Sequence, residues 1–94
     1  MTFSPAPLQD VPTLASDALQ AVYFRGALAD RRALVAAEIT RQTRKLNALT
    51  TRSDALTISR LRREIRTNEA ERRDLDRMIE AIDGRFAAAW ADQA

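Results

Sequence analysis

Apolar residues recur every three or four positions along most of this 94-residue chain, and the phase of that repeat changes once. A first frame, interrupted by Arg25, Arg32 and Gln42, contains Leu14, Ala18, Ala21, Leu28, Val35, Ile39, Leu46 and Leu49. A second frame contains Ile58, Leu61, Ile65, Asn68, Arg72, Leu75, Ile79, Ile82, Phe86 and Ala89. Alternating steps of three and four are typical of a coiled-coil helix. The sequence therefore predicts an all-α fold with two long helical arms.

The two frames do not join into one stripe. Continued beyond Leu49, the first frame would place apolar residues at positions 53, 56 and 60, whereas the second begins at Ile58. Thr51 and Asp54, three residues apart, approximate a helix-capping box between the frames. We therefore predict a coiled-coil-like antiparallel hairpin over residues 13–91, with arms at about 13–50 and 56–91 and a turn at about 51–55. One continuous helix with a stutter is the alternative.

The first twelve residues differ from the rest because they contain all three prolines, at positions 5, 7 and 12. A residue that precedes proline is steered away from helix, so residues 1–12 are predicted to form an extended arm. Gly26 and Gly84 fall inside the predicted helical arms. Since glycine disfavours a helix interior, each indicates a bend or a helix end.

Folding the arms back on each other sets a register for the seam, which we define as the two facing heptad stripes. The resulting layers pair Leu49 with Ile58, Leu46 with Leu61, Gln42 with Ile65, Ile39 with Asn68, Val35 with Arg72, Leu28 with Ile79 and Ala21 with Phe86. Polar residues at seam positions cost stability but fix register and orientation. The middle of the hairpin is therefore expected to carry the polar layers.

The composition argues against catalysis. The chain has no cysteine and no histidine, which removes thiolate chemistry, the commonest general base and the commonest metal ligand. It also lacks a glycine-rich phosphate loop and a nucleophile elbow. We predict a non-enzymatic protein with no catalytic residues, cofactor, metal or small-molecule substrate. Without a signal peptide or a membrane-spanning stretch, a cytoplasmic location and no membrane partner are expected.

Two helices alone cannot enclose a core, and chains of this size usually need a staple or oligomerisation. Extra apolar residues lie outside the seam at the end of the hairpin away from the turn, including Leu19, Val22 and Ala27. We predict a homo-oligomer, a helical bundle or ring, assembled through Tyr23, Phe24, Leu28, Ile79, Ile82, Phe86 and Trp90. The alternative is that the proline-rich arm or a bent terminal helix covers this surface.

Residues 41–66 contain eight basic and two acidic residues, a net charge of +6, whereas the rest of the chain carries −4. Clustered arginines attract phosphate, so this end could contact a polyanion through Arg41, Arg44, Lys45, Arg60, Arg62, Arg63 and Arg66. The stretch has no aromatic residue on which a base could stack. A solvated charged face is the simpler alternative.

Together these features favour an oligomerisation or scaffolding protein of a larger assembly. A nucleic-acid-associated oligomer, such as a small phage-type DNA packaging or recognition subunit, is the second hypothesis. A small adaptor or inhibitor that binds one protein partner is the third.

Overall fold

A computed structural model describes the backbone of residues 6–49 and 54–93, and the side chains of residues 16–49 and 54–91. It contains helix α1, Ala6–Leu49, and helix α2, Ala55–Gln93. The two helices pack against each other along their length. Contacts between Arg25 and Asp83 and between Gln42 and Asn68 show that they run antiparallel. The predicted all-α helical hairpin is confirmed.

Asp54 begins α2 as its N-cap residue. Its carboxylate oxygen Oδ1 accepts a hydrogen bond from the Thr57 backbone N–H at 2.7 Å, and its carbonyl accepts one from the Ile58 N–H at 3.3 Å. The hydrogen bond from Thr57 lowers the pKa of the Asp54 carboxyl below its ordinary value. Residues 51–53 of the predicted turn lie outside the described residues, and so does Thr51, the other half of the predicted capping box.

Two expectations about helix ends are wrong. Helix α1 begins at Ala6, so residues 6–12 are helical rather than extended. Proline is compatible with a first turn, where Pro7 lies, because N–H groups there have no acceptor within the helix. Gly26 and Gly84 lie inside continuous helices, and neither has a positive φ. The glycine penalty of about 1 kcal/mol does not end a helix whose neighbouring turns pack against a partner.

The seam occupies the predicted heptad positions. From Ala18 to Ala89, each described seam residue is buried or half-buried, except Arg32. The residues that lose most of their surface are Ala18, Ala21, Leu28, Val35, Gln42, Leu61, Ile65 and Leu75. Leu28, Val35 and Leu75 form the core cluster, with Ile39, Ile79 and Ile82 packed against it. The hairpin therefore has a linear core one side chain deep.

The dimensions of the molecule follow from that core. The hairpin measures 77 × 33 × 15 Å. Its smallest dimension is little more than the 10–12 Å diameter of a single helix with its side chains. Each helix consequently has one face on its partner and leaves the opposite face to solvent.

Substitution of a core leucine should destabilise the hairpin. Leu75→Ala removes a side chain that is 6% exposed and leaves a cavity beside Leu28 and Val35, so we expect a loss of about 2–4 kcal/mol in urea unfolding. Leu56→Ala, on the same helix but 68% exposed, is the matched control and should change the free energy of unfolding by less than about 0.5 kcal/mol. Equal losses in the two variants would contradict the seam.

Candidate assembly surfaces

The two arginines that interrupt the apolar frame of α1 are paired across the seam. Arg25 binds Asp83 through both carboxylate oxygens, with Nε–Oδ1 at 2.5 Å and Nη2–Oδ2 at 3.0 Å. One heptad along, Arg32 forms an ion pair with Asp76. The arginines are seven residues apart and so are the aspartates, so the contact repeats once per heptad. We call these two pairs the ion-pair ladder.

A third inter-helix ion pair joins Arg31 and Glu71. The guanidinium donates to both carboxylate oxygens, at 2.7 and 3.1 Å. The bonds from the arginines lower the pKa values of Glu71 and Asp83 and raise the pKa values of Arg31 and Arg25. These side chains are about two-fifths to a half exposed, so solvent screens the ion pairs. The pairs therefore contribute little to the free energy of unfolding and act mainly by fixing the register of the two helices.

The middle of the seam contains a polar layer. The Asn68 amide nitrogen Nδ2 donates to Oε1 of Gln42 at 3.0 Å, and Gln42 is 8% exposed. The predicted register placed these residues one layer apart, opposite Ile39 and Ile65. The amide pair brings polar groups together in an otherwise apolar stretch, which opposes sliding of one helix along the other.

At the open end, where the first part of α1 meets the last part of α2, the aromatic residues of α2 turn towards α1. Phe86 and Trp90 stack with ring centroids 6.0 Å apart, and Trp90 Nε1 donates to the Ala18 carbonyl at 3.3 Å. The Arg85 guanidinium lies 5.2 Å from the Phe86 ring centre. Both aromatic side chains are half-buried within the hairpin.

The predicted interface residues divide among three locations. Leu28, Ile79 and Ile82 belong to the core of the hairpin, while Phe86 and Trp90 close its open end. Tyr23 and Phe24 are 84% and 55% exposed. The structure therefore brings five of the seven predicted residues into contact within one chain and leaves two on its surface.

An apolar surface remains on α1. Four of the seven large hydrophobic residues that are exposed in the described part of the chain fall within residues 19–24: Leu19, Val22, Tyr23 and Phe24. Leu34 follows about three turns beyond Val22 and Tyr23 and is 66% exposed. The sequence reasoning missed Leu34 because it does not belong to the heptad frame. Its spacing of eleven residues from Tyr23, three helical turns, was the available signal.

The described basic residues of the closed end, the end formed by residues 41–66, are exposed but do not share one surface. Arg62 and Arg66 lie along an open groove of about 500 Å³ with Ser59. Lys45 and Arg60 lie on another groove that also contains the acidic Glu64. The remaining predicted residues, Arg41, Arg44 and Arg63, are exposed as well, and Arg41 forms an ion pair with Glu38.

Within residues 6–49 and 54–93, no group of histidine, cysteine or carboxylate side chains is arranged to hold a metal ion. Neither helix, over its described residues, has a stretch long and apolar enough to cross a bilayer. In comparisons with known proteins, no family model, curated protein or solved structure matches this chain.

Acid should destabilise the hairpin. Asp54, Glu71 and Asp83 have pKa values lowered by native hydrogen bonds, so their ionised forms stabilise the fold above the unfolded values of about 4. This stabilisation is lost as the pH falls through the folded-state pKa values. We expect a nearly constant Tm between about pH 6 and 8, since the chain has no histidine, and a falling Tm below about pH 4.

The measurement is thermal unfolding followed by circular dichroism at matched ionic strength. Asp83→Asn, which cannot ionise at this position, should have a lower Tm than wild type at pH 7. Its Tm should fall less than that of wild type when the pH is lowered. A Tm that rises as the pH falls from 5 to 3 would contradict the assignment.

Proposed function

We propose that this protein is a non-enzymatic assembly module that self-associates through the exposed apolar surface of α1 near the open end of the hairpin. The observation that carries the proposal is that Leu19, Val22 and Tyr23, each at least half exposed, lie on one side of α1 at i, i+3 and i+4, with the exposed Phe24 on the adjoining side. Isolated exposed hydrophobic residues are ordinary, whereas a contiguous patch marks an interaction surface.

The shape of the molecule supports the same proposal. The aromatic residues of α2, Phe86 and Trp90, pack on their own chain at the open end and do not cover Tyr23, which stays 84% exposed. A hairpin one helix thick has no further element among residues 16–49 and 54–91 to cover that face. A second copy is the simplest partner because symmetric homo-oligomers are the commonest assemblies.

The energy of such an interface is modest. Full burial of a large apolar side chain contributes about 1.5–3 kcal/mol, and these side chains are already partly covered, so about 1–2 kcal/mol remains for each. Association of two proteins costs about 4–15 kcal/mol in lost freedom of motion. A single pair of patches therefore supports a concentration-dependent complex, a property suited to a scaffold that assembles when its components accumulate.

Charged residues in the patch should disrupt the assembly without unfolding the chain. We expect wild-type protein to show a mass above 10.5 kDa in light scattering, rising with concentration. Leu19→Glu combined with Val22→Glu should shift it to monomer, because burying the new carboxylates costs more than the patch contributes. The helical circular dichroism of the double variant should match wild type, since both side chains lie outside the seam.

Leu56→Glu is the control. Leu56 is as exposed as Leu19, 68% against 62%, but lies at the closed end, so its substitution should leave the mass unchanged. A wild-type protein that remains monomeric at high concentration would overturn the proposal and favour the adaptor hypothesis. Equal disruption by Leu56→Glu would place the interface elsewhere.

Polyanion binding by the closed end is a second candidate function. It is favoured by Arg62 and Arg66, which are one helical turn apart, exposed, and on the same groove as the Ser59 side chain. Two guanidinium groups at that spacing suit adjacent phosphates of a nucleic-acid backbone. The acidic residues among the other cations, Glu38 and Glu64, restrict this candidate site to one side of α2.

This second function predicts salt-dependent binding. Fluorescence anisotropy with a short DNA duplex should show affinity that falls steeply with salt, and Arg62→Ala with Arg66→Ala should reduce the log–log slope by about 2. Arg77→Ala is the control, because Arg77 is exposed, paired with Asp74 and distant from the closed end. No binding at low salt, or an equal effect of Arg77→Ala, would remove this function.

A further inference from the structure

The exposed apolar residues of α1 continue along one face for several turns. Leu19, Val22, Tyr23, Gly26 and Asp30 follow the i, i+3, i+4, i+7 spacing of a single helix face, and Leu34 lies one turn beyond Asp30. At 100° per residue this face lies about half a turn from the seam positions. We call it the outer face of α1.

The outer face is nearly free of charge. The other charged residues of this part of α1 point elsewhere: Arg25 and Arg32 are held by α2 in the ion-pair ladder, and Arg31 binds Glu71. Asp30 is the only charged residue on the outer face between positions 19 and 37, and it makes no ion pair or hydrogen bond within the described residues. These three arginines therefore lie at the seam or beside it and not on the outer face.

Leu19, Tyr23 and Gly26 have counterparts of matching character about the point between Gly26 and Ala27. An antiparallel copy related by a two-fold axis at that point places residue i opposite residue 53 − i. Leu19 then faces Leu34 of the second copy, Tyr23 faces its Asp30, and Gly26 faces its Ala27. The leucines meet each other, and the charged group of the face meets the phenol hydroxyl, which is a hydrogen-bond donor. Val22, at the edge of the face, falls opposite Arg31 of the second copy.

We infer that two copies of this chain pair through the outer faces of α1, antiparallel about a two-fold axis between Gly26 and Ala27, with the Tyr23 hydroxyl of each copy donating to the Asp30 carboxylate of the other. The inference rests on the proposed self-association and specifies its geometry. A parallel pair in register would instead bring the two Asp30 carboxylates together, which is unfavourable at a contact that excludes water.

The centre of this pairing is suited to close contact between two helices. A Cβ atom placed on Gly26 would meet nothing within 4 Å, and the surface around it forms an open depression of about 450 Å³ lined by Val22, Tyr23, Ala27 and Asp30. Small residues at a crossing point let two helix backbones approach, while the flanking side chains fill the space on either side. In the proposed dimer, the strongly exposed Tyr23 ring is the flanking side chain that fills the space beside the crossing point.

The size of the contact agrees with a reversible dimer. From Leu19 to Leu34 the face spans sixteen residues, about 24 Å along a helix about 10 Å wide. Such a footprint, about 240 Å² per copy, is smaller than that of a standard specific interface and suits only a weak, transient dimer. In the dimer the closed ends point in opposite directions, with the end of each α1 about 35 Å from the axis. The basic segments then lie at the two ends of one rod.

Disulfide trapping tests this geometry, since the chain has no cysteine of its own. In the proposed dimer, position 26 lies beside its counterpart, so Gly26→Cys should oxidise to a covalent dimer. Two copies of Leu34→Cys would place their sulfurs about 22 Å apart along the helix and should not cross-link. Mixing Leu34→Cys with a size-tagged Leu19→Cys should yield the mixed disulfide. Met78→Cys, on α2, gives the background from random collision.

The outcomes of cross-linking and light scattering distinguish a failure of this dimer geometry from a failure of the proposed self-association. Cross-linking of Gly26→Cys and of the mixed pair, well above the Met78→Cys background, supports the antiparallel pair. Efficient cross-linking of Leu34→Cys alone overturns it in favour of a parallel pair. If light scattering shows an oligomer but neither Gly26→Cys nor the mixed pair cross-links, self-association stands and this geometry is wrong. A monomer in light scattering overturns both.

Discussion

A pair of helices can bury only one stripe on each, and this limit shapes the whole molecule. The stripe from Ala18 to Leu49 faces the stripe from Ile58 to Ala89, and the core they form is a line rather than a volume. Residues such as Leu75 and Val35 are well covered, yet their surroundings are a single layer of neighbours. Among the described residues, no element of the hairpin covers the opposite face of either helix.

The polar residues of the seam determine how the two stripes align. Arg25 and Arg32 repeat at a seven-residue interval, and so do Asp76 and Asp83, which makes the correct register the one in which both pairs form together. A shift by one heptad would leave an arginine and an aspartate unpaired. The Gln42–Asn68 hydrogen bond adds the same constraint in the middle of the hairpin. These contacts add little stability individually because they are screened, but they exclude alternative alignments.

Placing arginines in the seam also affects the rest of the surface. Because Arg25, Arg31 and Arg32 are bound to carboxylates of α2, the outer face of α1 keeps only Asp30 as a charged residue over nearly twenty positions. The closed end, in contrast, exposes many cations on several sides. The hairpin therefore has an apolar region near one end and a basic region at the other, and the proposed assembly and polyanion contact use these separately.

The helices and the seam could be predicted from the local pattern, since a 3–4 repeat is a local property, and its change of phase next to capping residues favoured a hairpin over one helix with a stutter. The sequence pattern misplaced the start of α1 and the effect of Gly26 and Gly84, because local preferences there are weaker than continuation of a long helix. Only the tertiary structure decided what Arg25 and Arg32 do, because their partners lie more than forty residues away. It also decided that Leu28, Ile79 and Ile82 face inwards while Tyr23 and Leu34 stay exposed, since a heptad pattern marks one buried stripe but does not show which other faces a partner covers.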